Sequence, residues 1–103
     1  MHLKKYHFQV APELQEKLTA VELETLKKQV KEHLEHDFFR IKPIKTSLKI
    51  KCYEQKVHLA KQTYRVAFLV TAEEVELCYL SSSLIKRVFD KEVQKYLRKR
   101  QKR

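Results

Sequence analysis

The sequence predicts an α+β domain of order β-α-α-β-β-β-α, and three observations predict it. From Ile44 to Cys52 the residues alternate: Ile44, Thr46, Leu48, Ile50 and Cys52 fall on one side, and Lys45, Ser47, Lys49 and Lys51 on the other. That is the period of an extended strand. Between Pro12 and His36 the apolar residues recur at helical spacing, in two stripes instead of one. From Tyr64 onward, two more strand-like runs with short links lead into an amphipathic helix. The expected architecture is an antiparallel three-stranded meander plus an N-terminal strand, with the helices packed on one sheet face and a basic C-terminal helix.

Lys4 to Val10 places Tyr6, Phe8 and Val10 on one face and Lys5, His7 and Gln9 on the other, as a strand does. Pro12 opens a helix, because proline is tolerated in a first turn. Leu14, Leu18 and Val21 share one face, whereas Leu23, Leu26, Val30 and Leu34 form a stripe turned away from it. One straight helix cannot bury both. Thr19-Ala20-Val21-Glu22 reads as a capping box, the mark of a fresh helix start, so two consecutive helices are expected, about 12–18 and 20–36.

Pro43 precedes the alternating strand, and a polar stretch follows it from Glu54 to Gln62. The run Tyr64 to Val70 is apolar on both faces, as in a central strand. A turn at Thr71 to Glu73 leads into Val75 to Leu80, with Val75, Leu77 and Tyr79 expected inward and Glu74, Glu76 and Cys78 outward. Ser81 to Ser83 supply a helix N-cap. Leu84 to Leu97 then form a helix whose apolar arc includes Ile85, Val88, Phe89, Val93 and Tyr96. Glu92 falls inside that arc and calls for a basic partner.

The 103 residues suffice for one domain with its own core. No apolar run has membrane-spanning length, and the start MHLKKYHFQV lacks the apolar segment of a signal peptide, so a cytoplasmic location is expected. Cys52 and Cys78 lack metal-like spacing and read as reduced packing residues. His33 and His36 stand at i, i+3 without an evident third ligand, so no metal is expected; histidines near a helix C-terminus suit its dipole. With no glycine in the chain, phosphate-cradling Gly-rich loops are excluded, and no cofactor is expected.

The net charge is +10, and residues 86–103 hold nine Lys/Arg against two acids. Such a stripe suits a nucleic-acid or ribosome ligand, and equally a solvated basic tail. The row Lys45, Lys49 and Lys51, without a carboxylate among them, suits an anionic partner, and equally an edge strand's defence against aggregation.

The order of elements resembles the RelE/ParE superfamily of toxin-antitoxin toxins across most of the chain. "HFQVAPELQEKL" with "LETLKKQVKEHLE" is similar to that family's first strand and helix pair. "LKIK" resembles its lysine pair, "YRVAFLV" its arginine-bearing strand, and "VELCYLSSSLIKRVFDKEV" its last strand, basic turn and closing helix. The resemblance implies one RelE/ParE-like domain over residues 1–103, with 97–103 as a basic tail. It also implies ribosome-dependent cleavage of mRNA, in which the ribose 2′-oxygen attacks the neighbouring phosphate. Lys49 and Lys51 match the pair that activates or orients the 2′-hydroxyl, and Arg65 matches the phosphate-stabilising arginine. All three are expected to converge on one concave surface.

The chain departs from the family at Ser83, where a second arginine is usual, and at Phe89, where a tyrosine is usual. Phenylalanine stacks on bases but carries no proton to transfer. Lys86 and Arg87 stand one turn on and would supply charge, so Lys45, Ser83, Lys86, Arg87 and Phe89 are the expected RNA-binding residues. Arg65 has a second reading as cross-strand partner of Glu76 or Glu74, and Phe89 has one as a core residue. The implied partners are the ribosome with its mRNA and a cognate, acidic or partly disordered antitoxin; no membrane and no small-molecule cofactor is expected. Two other readings stand beside the nuclease. One is a non-catalytic ribosome-binding factor, to which "FQVAPELQEKL" and "VFDKEVQKYLRKR" are similar through the ribosome hibernation factor family. The other is a ParE-like inhibitor of DNA gyrase.

Overall fold

A computed structural model of the chain describes residues 6–46 and 49–101. The elements are β1 (His7–Val10), α1 (Pro12–Lys17), α2 (Ala20–Glu35), a 3-10 turn (Phe38–Arg40), β2 (Lys42–Ile44), β3 (Lys51–Leu59), β4 (Gln62–Val70), β5 (Glu74–Ser81) and α3 (Lys86–Gln101). The architecture is α+β, as expected. One five-stranded sheet runs in the order β1-β5-β4-β3-β2. β1 pairs with β5 in parallel, and every other pairing is antiparallel.

The helix pair forms as the sequence predicts. Leu18 is extended (φ −122°, ψ 148°) and ends α1. The Thr19 amide donates to Glu22 Oε1 at 2.9 Å, while the Glu22 amide donates to Thr19 Oγ1 at 3.1 Å. This satisfies two of the donors left open at the start of α2.

The alternating segment Ile44 to Cys52 is not one strand. Ile44 and Cys52 sit opposite each other in register as the closing pair of β2 and β3, so the alternation spans a hairpin connection. Period two is needed for a strand but does not suffice: Ile50, on the supposedly dry side, is 40% exposed. Ser47 and Leu48 lie outside the described residues, as do Lys4 and Lys5 of the first expected strand. The true strand begins at Lys51 and runs through the stretch that reads as polar. Glu54 and Gln55 are buried within it.

The two-residue turn between β3 and β4 is Ala60-Lys61, both left-handed (φ 48° and 66°). Such hairpin turns ordinarily carry glycine or asparagine, and this chain places neither there.

The expectation that all helices share one sheet face is corrected. Leu14, Leu26 and Val30 of α1 and α2 pack with Val57, Leu59, Val66, Phe68, Val75 and Leu77. Phe89, Val93 and Leu97 of α3 pack with Ile44, Cys52, Ala67, Leu69 and Cys78 on the opposite face. β4 is apolar on both faces, so both need a helical cover. Cys78, expected outward, is therefore buried beneath α3. It is the extra residue of a bulge, since Ala67 opposes Tyr79 and Phe68 opposes Leu77. Burial pushes the Cys52 thiol up to about 12 and the Cys78 thiol up as well.

The segment expected as a basic tail from residue 97 is docked through Gln101. Leu97 is buried, and Arg100 Nη2 donates to both Glu76 carboxylate oxygens at 2.6 and 2.8 Å. Glu92 does have a partner, though not a basic one: the Tyr79 hydroxyl donates to its Oε1 at 2.9 Å. Among the described residues, no helix is long and apolar enough to cross a membrane.

Candidate nucleic-acid interface

β3 and β4 bring a carboxylate and a guanidinium together beneath the start of α3. Glu54 and Arg65 share a face, because Arg65 lies opposite Lys56, two residues along β3 from Glu54. Arg65 Nη1 donates to Glu54 Oε1 at 2.7 Å, while its Nε and Nη2 both donate to the Leu84 carbonyl at 3.2 and 2.8 Å. The arginine thereby ties the entry of α3 to the sheet. Its partner is Glu54, and neither Glu74 nor Glu76.

Lys86, the first residue of α3, reaches the same carboxylate. Its Nζ lies 3.1 Å from Glu54 Oε2 and donates to Asp90 Oδ2 at 2.8 Å and to the Pro43 carbonyl at 3.0 Å. A cation is unfavourable at a helix N-terminus, and two carboxylates offset that here. Burial acts to lower the Lys86 pKa, but the bonds to Asp90 and Glu54 outweigh it and raise the value. Burying a carboxylate is costly without such partners, and Glu54 has two cations against it.

Above this paired interior opens a cleft of about 370 Å3, lined by Phe39, Arg40, Lys42, Lys56 and His33 together with Glu54, Arg65 and Lys86. Lys42 stands opposite Glu54 across the β2-β3 ladder, and Lys56 lies two residues further along β3. Among the described residues, no carboxylate comes within ion-pair distance of Arg40, Lys42 or Lys56. The Arg40 guanidinium lies 5.3 Å from the Phe39 ring centroid. His33 Nδ1 is 2.6 Å from the Gln55 side-chain nitrogen, which holds the imidazole at the cleft wall. The interior charges cancel and the rim charges do not, so the cleft presents a net positive mouth.

The residues expected to form a catalytic set are not brought together. Lys51 lies opposite Val70, five residues along β4 from Arg65, a separation of roughly 16 Å. The strand alternation also puts Lys51 and Arg65 on opposite faces. Lys49 and Lys51 are exposed and line a different depression with Leu34, Phe38, Tyr53 and Val70. Lys45 is exposed, and its carbonyl accepts from Gln94 Nε2 at 2.8 Å. The Ser83 amide donates to Ser81 Oγ at 3.1 Å in the loop before α3, which begins two residues later than expected. Arg87 is exposed on the first turn of α3. Phe89 is fully buried against Tyr79, with ring centroids 6.0 Å apart, and has no surface on which to stack a base.

Six residues of the cleft went unread in the sequence: His33 as a cleft residue, Phe39, Arg40, Lys42, Glu54 and Lys56. The available signal was the spacing Glu54-x-Lys56 with Arg40-x-Lys42, which becomes informative only once residues 51–59 are recognised as a strand. Comparison of the chain with models of protein families, with curated proteins and with solved structures finds no match.

Proposed function

We propose that the protein is a cytoplasmic, RNA-binding inhibitor of translation, the toxin partner of an acidic antitoxin, which acts by docking on the ribosome and its mRNA through the cleft between β2, β3 and α3. The observation that carries this reading is the trio Arg40, Lys42 and Lys56, whose charges no carboxylate among the described residues neutralises. Phosphate contacts of this kind supply most sequence-independent affinity for nucleic acid. Arg65 serves such a protein as a girder: three of its five N–H donors are taken by Glu54 and the Leu84 carbonyl, which favours binding without cleavage by that residue.

Ribosome-dependent cleavage of mRNA is the second reading. It is favoured by one observation, the exposure of Lys49 and Lys51 together at a single depression. Cell-free translation separates the two. The wild-type protein is expected to inhibit and Lys42→Glu/Lys56→Glu to relieve inhibition, with the mRNA intact. Inhibition unchanged by that pair, or cut mRNA whose cleavage needs Lys49 and Lys51, would overturn the binding-only reading.

A further inference from the structure

Phe39 is 68% exposed, yet the backbone on either side of it is tied down. It stands at the middle of the 3-10 turn, in which the Arg40 amide donates to the Asp37 carbonyl at 2.9 Å and the Ile41 amide to the Phe38 carbonyl at 3.0 Å. Phe38 packs edge-on against Tyr53 at 6.2 Å, and Ile41 is buried in the core. Both neighbours of the Phe39-Arg40 pair are thus anchored, which fixes the backbone that presents the ring at the cleft mouth. A scattered exposed phenylalanine needs no explanation, but this one lines a cleft whose other lining residues, His33 and the paired Glu54 apart, are lysines and arginines.

Resting on the RNA-binding reading above, we infer that this cleft selects single-stranded RNA, with one unpaired base stacked on the Phe39 face opposite the Arg40 guanidinium and the flanking phosphates on Lys42 and Lys56. An aromatic ring amid cations is the arrangement that holds single strands, since every base offers a π-face and arginine adds to the stack. A volume of about 370 Å3 lies at the small end of ligand sites, about 300–1,000 Å3. A paired base reaches such a ring only after leaving its own stack, at a cost that duplex RNA must bear and an unpaired strand does not.

The chain has no tryptophan, so Phe39→Trp introduces a single indole at the site, which is excited selectively over the tyrosines. Titration with a short oligouridylate is expected to quench it, whereas an RNA duplex of the same charge leaves it unquenched. Phe39→Ala is expected to weaken single-strand binding about tenfold and to leave duplex binding and thermal stability unchanged. If Phe39→Ala binds the single strand as the wild type does while Lys42→Glu/Lys56→Glu abolishes binding, the stacking inference falls and the RNA reading stands. If neither RNA binds the wild-type protein, both fall.

Discussion

Arg65 shows how one residue's role depends on what lies next to it. Seen in sequence, it is an arginine on a strand beside a row of lysines; in the structure its guanidinium neutralises a fully buried carboxylate and caps the Leu84 carbonyl. Removing one partner of such a pair strands the other, at a cost of about 3–5 kcal/mol. Arg65→Ala is therefore expected to lower the urea midpoint sharply, and Glu54→Gln on that background to recover part of the loss; an Arg65→Ala protein of wild-type stability would remove the residue from the fold's support. Loss of activity in Arg65→Ala alone thus does not identify a phosphate ligand.

The titrating groups under α3 point the same way. Burial, together with the bond to Glu92, pushes the Tyr79 hydroxyl up to about 12, burial and neighbouring groups including Glu13 do the same for Tyr96, and burial carries Cys52 from 9.0 to about 12. Each of these groups is favoured in its protonated form by folding, so its contribution is complete below its unfolded pKa and is lost as pH rises through the folded one. Stability is expected to stay level up to about pH 9 and to fall between about 9 and 12. Melting temperatures that are flat across that window would contradict the burial of these groups.

At the scale of elements, legibility followed chemistry that is local. The break between α1 and α2 was readable because a capping box is complete within four residues, and β4 was readable because both of its faces are apolar. β3 was not, since its burial of Glu54 and Gln55 is made tolerable by Arg65, Lys86 and His33, which lie distant in sequence. Its turn was silent too, because Ala60 and Lys61 adopt left-handed angles without the residues that ordinarily announce them. That strain offers a test. Left-handed backbone costs an ordinary residue about 1–2 kcal/mol, so Ala60→Asn/Lys61→Gly is expected to stabilise the protein by about 1 kcal/mol or more in urea denaturation. Destabilisation by that pair would show that the turn is not strained.

For the whole molecule, the sheet's two covered faces decide where function can lie. The α1-α2 layer and α3 hide most apolar side chains and leave the β2-β3 side, where the cleft opens, as a meeting place of strand, 3-10 turn and helix start. The candidate site was half visible in the sequence. An excess of lysine and arginine pointed to a polyanion, but the positions that matter became apparent only when β2, β3 and α3 converged. Lys86 belongs to both accounts, first as an expected RNA contact and then as the cation that joins the buried pair to the rim.

The proposed RNA-binding cleft is tested most directly by measuring ribosome affinity across a salt series for the wild-type protein and for Lys42→Glu/Lys56→Glu. Two lost phosphate contacts to a single strand are expected to flatten the slope of log K against log salt by about 1.4, with weaker binding at every salt concentration and an unchanged melting temperature. A variant that keeps the wild-type affinity and slope would contradict the assignment of the cleft.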